Sequence, residues 1–160
     1  KAMSEVTNLL ISVKCRIGVE TGASENLYTE ERFQDFMSSI YQAGCDRVYL
    51  HARKAILGGL TPAQNRAIPP LDYSVGSKIK DCLPDLELII NGGINSLEAT
   101  KSMLNWADGV MIGRSAYHNP LLLSKLHKHL RDPSFVIDEA DFLARYKTYM
   151  QQLYNYYILL

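Results

Sequence analysis

"LELIINGGINSLEATKSMLNWADGVMIGR", residues 86–114, holds two short apolar runs, each closed by glycine, with a helical pattern between them. "LELIINGGI" (86–94) and "DGVMIGR" (108–114) are strand-like: short, apolar, partly β-branched and bounded by polar residues or glycine. Between them Leu97, Met103 and Leu104 sit inside a helical pattern behind a candidate N-cap at Asn95 or Ser96. Strand, helix, strand in this order predicts a right-handed βαβ unit with parallel strands. Gly92, Gly93 and Gly113 each follow a strand and open toward a helix, where backbone N–H groups can approach a phosphate with no Cβ in the way. Arg114 can add a charge-assisted contact. One such turn alone would read as a tight turn; two, at this spacing, point to an anion site.

The same rhythm extends toward the N-terminus. "LLISVKCRIG" (9–18) and "DRVYLHAR" (46–53) are two further apolar, β-branched runs. "TEERFQDFMSSIYQAG" (29–44) predicts a helix with Thr29 as N-cap, Phe33, Phe36, Met37 and Ile40 on its apolar side, and Gly44 as its stop. "DYSVGSKIKDCLP" (72–84) is a shorter helix, and "NPLLLSKLHKHL" (119–130) starts one with Pro120 in its first turn. Four strands alternating with four helices predict a parallel sheet, and near-continuous apolar strands predict one covered on both faces. An open doubly wound sheet and a (β/α)8 barrel both satisfy this order; barrels commonly hold phosphate in the loops after their last two strands. "DEADFLARYKTYMQQLYNYYILL" (138–160) breaks the rhythm as a long amphipathic helix. Asp138 is its N-cap, and Phe142, Leu143, Tyr146, Tyr149, Met150 and Leu153 are expected in a packed core rather than on an RNA-stacking platform. "KAMSEVTN" reads as the end of a helix and "YYILL" as an apolar ending, as if both termini were cut from a longer protein.

With 160 residues the chain is of ordinary domain size. No run approaches the roughly 20 apolar residues of a membrane span and no signal-peptide pattern is present, which predicts a soluble, cytoplasmic protein without membrane partners. Cys15, Cys45 and Cys82 are odd in number and far apart, which argues against a disulfide framework and a CxxC metal site. A net charge of zero argues against a general nucleic-acid binder. The charges are unevenly placed, however. Residues 51–71 carry Arg53, Lys54 and Arg66 and no acid; residues 109–131 carry Arg114, Lys125, Lys128 and Arg131 and no acid; Glu20, Glu25, Glu30, Glu31 and Asp35 gather elsewhere.

Strand alternation sorts the polar residues. Lys14 and Arg16 share one side of their strand, His51 and Arg53 one side of theirs, and Asn91 and Gly93 likewise. All lie at the C-terminal ends of apolar strands, where parallel α/β folds bind ligands. Lys14 is costly to bury without a partner, and His51 in this company reads as a ligand-binding residue rather than a satisfied core histidine. After the second strand comes a long basic loop, "HARKAILGGLTPAQNRAIPPLDY" (51–73), too rich in Gly and Pro for one helix.

"VKCRIG", "HARKAILGGLTPAQNRAIPPLDY", "INGGI" and "DGVMIGRSAYHNP", in this order over roughly residues 1 to 125, resemble the tRNA-dihydrouridine synthases, and closely their bacterial A-type branch. The resemblance implies the second half of a TIM (β/α)8 barrel binding FMN (residues 1–131), followed by the start of a helical tRNA-binding domain (132–160). It implies an oxidoreductase: NADPH reduces the flavin, hydride passes to C6 of a D-loop uridine in tRNA, and a cysteine protonates C5. By position, Lys14 and His51 would contact FMN, and Asn91, Gly92, Gly93, Gly113 and Arg114 would hold its phosphate end. Arg66, with Arg53 and Lys54, would meet tRNA.

The chain also departs from the branch. The catalytic cysteine of the family falls in the first half of the barrel, so none of Cys15, Cys45 and Cys82 takes that role. Ala63 stands where the branch has a tRNA-contacting lysine, and "VETGASENLYTEE" (19–31) is longer than the branch norm. Half a barrel leaves two strand edges and an apolar interior uncovered, which predicts self-association, pairing with the missing half or instability, and a fragment inactive on its own. Two other functions fit the residues: an FMN barrel acting on a small molecule, against which the basic loop speaks, and a non-catalytic remnant that binds RNA or a partner.

Overall fold

A computed structural model describes residues 2–21 and 29–158. Glu25, most of the long 19–31 stretch and the last two residues of "YYILL" lie outside the described residues. The chain begins with α1 (Ala2–Val6), β1 (Ser12–Arg16), β2 (Val19–Thr21), α2 (Glu30–Gln42), β3 (Arg47–His51) and β4 (Ala55–Leu57). It continues through α3 (Ser74–Cys82), β5 (Glu87–Asn91), α4 (Leu97–Leu104), β6 (Gly109–Met111), α5 (Arg114–His118), α6 (Leu121–Leu130) and α7 (Glu139–Ile158). The four strands expected from the apolar runs form one parallel sheet in the order β1-β3-β5-β6. The order never doubles back, so no switch point divides the sheet as in a doubly wound fold.

The burial pattern agrees with a singly wound sheet. Val48, Leu50, Leu88 and Ile90, the alternate residues of β3 and β5, are wholly buried. They share a core cluster with Phe33 and Met37 of α2 and Val75 and Ile79 of α3. The intervening residues, Arg47, Tyr49, His51, Glu87, Ile89 and Asn91, are only half-buried, and Lys14 and Ser12 of β1 are exposed. Coverage of both sheet faces is therefore corrected. Helices cover one face, and among the described residues nothing closes over the other, which is the inner face of a partial (β/α)8 barrel.

Local signals behave as their chemistry requires. Thr29 Oγ1 accepts from the Arg32 N–H at 3.1 Å, Ser96 Oγ from the Ala99 N–H at 3.1 Å, and the Asp138 carboxylate from the Ala140 and Asp141 N–H groups at 2.9 and 3.0 Å. Ser96 thus caps α4 rather than Asn95. Gly44 ends α2 with φ of 92°.

The chain packs as two compact units, residues 1–118 and 119–160. The boundary expected after residue 131 falls beyond α6, which the structure groups with α7. In the second unit Leu122 and Leu126 of α6 are buried, and the His127 and Phe135 rings meet edge-on with centroids 4.6 Å apart. The packed core expected for α7 is not present: no α7 residue is buried, and Leu143, Tyr146, Tyr149 and Met150 are exposed. Its apolar stripe has no second helix laid along it among the described residues. No helix among them is long and apolar enough to cross a membrane.

Candidate functional site

Parallel pairing sets Arg16, His51, Asn91 and Met111 side by side at the last rung of the sheet. One rung below lie Lys14, Tyr49, Ile89 and Gly109. At this rim opens a cavity of about 500 Å3, within the roughly 300–1,000 Å3 of small-molecule sites. All seven residues expected to hold a cofactor line it: Lys14, His51, Asn91, Gly92, Gly93, Gly113 and Arg114. Arg16 and Arg66 line it too, and among the described residues no Asp or Glu does.

Asn91 is held from both sides. Its Nδ2 donates to the Met111 carbonyl at 2.7 Å, so its Oδ1 turns toward Lys14 Nζ at 3.3 Å. The ammonium is thereby aimed into the cavity. Burial, followed by the charges of Arg16, Lys14, Arg53 and Arg114, pushes the His51 pKa down to about 4. The ring is neutral at physiological pH and offers one N–H and one lone pair. Burial and the neighbouring Arg53 and Arg66 guanidiniums lower the Arg16 pKa as well. Like charges gathered without a lining carboxylate make a site that an anion relieves.

The glycines divide into two kinds. Gly92 and Gly93 have φ of +114° and +67°. A Cβ on Gly93 would stand 2.4 Å from Leu71 Cδ1, and one on Gly92 2.8 Å from both the His51 ring and Leu71. The Tyr73 hydroxyl donates to the Gly92 carbonyl at 2.7 Å, pinning the end of the 51–73 loop against this turn. The fold itself requires these two glycines. Gly113 has no positive φ, and a Cβ there meets nothing within 4 Å. The chain's own packing gives no reason for glycine at 113; a ligand lying in the space its Cβ would fill does.

The 51–73 loop is a built structure rather than a solvated excursion. β4 within it pairs in parallel with β2. Thr61 and Gln64 cap each other, the Thr61 N–H donating to Gln64 Oε1 at 2.8 Å and the Gln64 N–H to Thr61 Oγ1 at 3.2 Å. They open a single 3-10 turn at Gln64–Arg66. The Asn65 amide clasps Ile56, accepting from its N–H at 2.7 Å and donating to its carbonyl at 2.8 Å. Arg66, exposed, reaches the cavity. Arg53 and Lys54 do not line it: Arg53 Nη1 donates to the Ala67 and Pro69 carbonyls, and Lys54 pairs with Glu20 at 2.8 Å.

Alternation put Arg16 on the same rim as Lys14, and the structure brings it into the cavity although it was not among the residues expected to hold the cofactor. Reading the sequence missed β2, β4 and α5, which at three to five residues are too short to carry a period. The cysteines are free, and burial raises the Cys15 pKa to about 11, leaving it a poor acid or nucleophile.

A sequence model of the dihydrouridine synthase family (Dus) matches residues 1–158. The chain is 40% identical over 153 residues to a tRNA-dihydrouridine(20/20a) synthase of Pseudomonas aeruginosa, covering 95% of this chain and 45% of that protein. Similar proteins of the same name occur in Pseudomonas putida, 40% identical over 94% of this chain and 44% of the relative, and in Vibrio vulnificus, 44% identical over 81% and 38%. The chain spans less than half the length of these relatives. With a match that runs over nearly all its residues, the chain belongs to the dihydrouridine synthase family.

Proposed function

We propose that this chain supplies the FMN-binding half-barrel and the start of the helical domain of a cytoplasmic tRNA-dihydrouridine synthase. The observation that carries the proposal is the convergence of Lys14, His51 and Asn91, from three strands, and Arg114, at the start of α5, on one cavity with no acid among its described lining residues. Gly113, Arg114 and the turn at Gly92 and Gly93 suit a phosphate. Lys14, aimed by Asn91, sets a positive charge beside an electron-rich ring edge, and the neutral His51 adds a donor without adding charge. When bound, FMN supplies hydride, taken from NADPH, for C6 of a uridine. Arg66 lines the cavity, where a uridine drawn from its stack brings its flanking phosphates; Arg53 adds to the positive field of the same loop, and Lys54 does so less, because its charge is offset by Glu20. Proton delivery to C5 falls to a residue outside this chain, in keeping with the raised Cys15 pKa.

Titrating the purified chain with FMN tests the cofactor half of the proposal. Saturable quenching of flavin fluorescence is expected, weakened about tenfold or more in K14A and in R114A. Retention of unmodified tRNA, lost as salt rises, tests the substrate half. Flavin binding without tRNA retention would favour a small-molecule oxidoreductase, and absence of both would leave a remnant. Dihydrouridine formed by the chain alone from NADPH, FMN and tRNA would refute an external proton donor.

A further inference from the structure

Three arginines from three strand ends grip one short turn by its backbone. Arg16 Nη1 donates to the Lys54 and Asn65 carbonyls at 2.8 and 2.9 Å, and Arg114 Nη2 donates to the Arg66 carbonyl at 3.2 Å. Arg53 Nη1 takes the next ones, Ala67 at 3.1 Å and Pro69. Asn65 and Arg66 end the 3-10 turn, Ala67 and Pro69 follow it, and Lys54 precedes β4; the N–H groups at the turn's end are spent on earlier residues, Arg66 on Ala63, Ala67 and Ile68 on Gln64. The last carbonyls of a helical turn have no partner within it, and cationic donors complete them. Arg16 and Arg114 also line the cavity, so their loss mixes two effects. Arg53 does not line it, and its Nε is buried with no hydrogen-bond partner among the described residues. Its Nε is thus kept from water and its Nη1 is spent on two carbonyls of the chain, which ties the guanidinium to the loop backbone.

We propose that Arg53 is a positioning residue: through the Ala67 and Pro69 carbonyls it fixes the turn that holds Arg66 at the cavity, and it makes no contact with RNA. The proposal rests on the reading of Arg66 as a tRNA contact. A residue acting through Arg66 has nothing left to do once Arg66 is gone, whereas a residue with its own phosphate contact loses affinity independently. Arg53 carries the same charge as lysine, but one ammonium does not reproduce the fork that spans two carbonyls.

A double-mutant cycle on the 160-residue chain reads both. R66A and R53A are each expected to weaken binding of unmodified tRNA about tenfold, and R53A/R66A no more than about twofold beyond R66A alone. The slope of tRNA affinity against salt should fall by about one in all three variants. R53K is expected to behave as R53A, FMN affinity to stay within about twofold of wild type in both, and amide exchange at residues 66–68 to quicken. Additive losses, wild-type tRNA binding by R53K, or wild-type binding by R53A would each overturn the proposal. Should R53A fail to fold, R53K and N65A, which frees the same turn from Ile56, carry the cycle. A wild-type chain that binds FMN but no tRNA removes the role of Arg66 and this inference with it. One that binds tRNA but no FMN removes only the flavin half of the proposed function.

Discussion

Gly113→Ala separates a glycine kept for a ligand from one kept for the fold. At Gly113 the backbone has no positive φ and the new methyl meets no atom within 4 Å. Replacing glycine by alanine at such a compatible position stabilises by about 0.4–1 kcal/mol, because the unfolded chain loses freedom. For a chain of this size that raises Tm by about 1–4 °C. The methyl enters the cavity, where it keeps a phosphate oxygen from the backbone N–H. Losing one charge-assisted hydrogen bond amounts to about 1.5–3 kcal/mol, a ten- to hundredfold rise in the Kd for FMN. Gly93→Ala should do the reverse. Its φ of +67° is unfavourable for alanine by about 1–2 kcal/mol, and the Cβ 2.4 Å from Leu71 Cδ1 adds an overpacking cost of about 1–3 kcal/mol. A fall in Tm of roughly 4–20 °C is expected there. Thermal melting and flavin fluorescence titration on the two variants give four numbers. Wild-type FMN affinity in Gly113→Ala, or destabilisation by it, would refute the reasoning.

The ring of His51 gives a pH signature. Its folded pKa is about 4, below the ordinary 6.5, so as pH falls the unfolded chain binds the proton first and stability is lost between about 6.5 and 4. H51Q should flatten that part of a Tm–pH profile, and an unchanged profile would count against a depressed pKa. A bound phosphate raises the ring's pKa, so FMN binding near pH 5 should take up a proton, visible as a buffer-dependent binding enthalpy. Lys14→Met, which trades an exposed cation for an uncharged stem, should weaken FMN about tenfold while leaving Tm unchanged or slightly higher, since it removes like-charge repulsion. Alkylation at pH 8 should label exposed Cys82 first and spare Cys15, whose pKa is raised to about 11; early labelling of Cys15 in a peptide map would contradict its burial.

What the sequence disclosed follows from which signals are local. β1, β3, β5 and β6 were legible because short apolar, partly β-branched runs between polar or glycine ends have few other uses, and α2 because Thr29 caps it and Gly44 stops it. The cavity was legible through alternation: residues two apart on strands of known direction must share a rim. Coverage of both faces was misjudged because strand composition reports apolar neighbours along the chain, not whether anything covers the inner face. The same holds for α7, whose stripe at Tyr146, Tyr149 and Met150 reads as core although nothing in the second unit buries it. Arg53 was read as a basic loop residue because charge is visible in sequence and direction is not. Only the Ala67 and Pro69 carbonyls reveal where its guanidinium points.

The cationic rim exists because the opposite face of the same strands is apolar. Arg16, Lys14, Arg66 and Arg114 gathered around His51 repel one another, and nothing acidic in the cavity offsets them. Val48, Leu50, Leu88 and Ile90, wholly buried on the other face, contribute roughly 1.5–3 kcal/mol each. They also set the register. A one-residue slip of β3 against β5 would turn Val48 and Leu50 inward and push Tyr49 and His51 under the helices. Slippage would relieve some charge repulsion, which between partly exposed groups is worth about 1 kcal/mol per pair or less, while forfeiting the burial of Val48 and Leu50, about 3–6 kcal/mol together. The balance favours the native register several-fold over. The rim is therefore held in an electrostatically unfavourable arrangement by packing some 10 Å away across the sheet, and an anion that enters finds its donors already gathered, so little of its binding free energy is spent on assembling them.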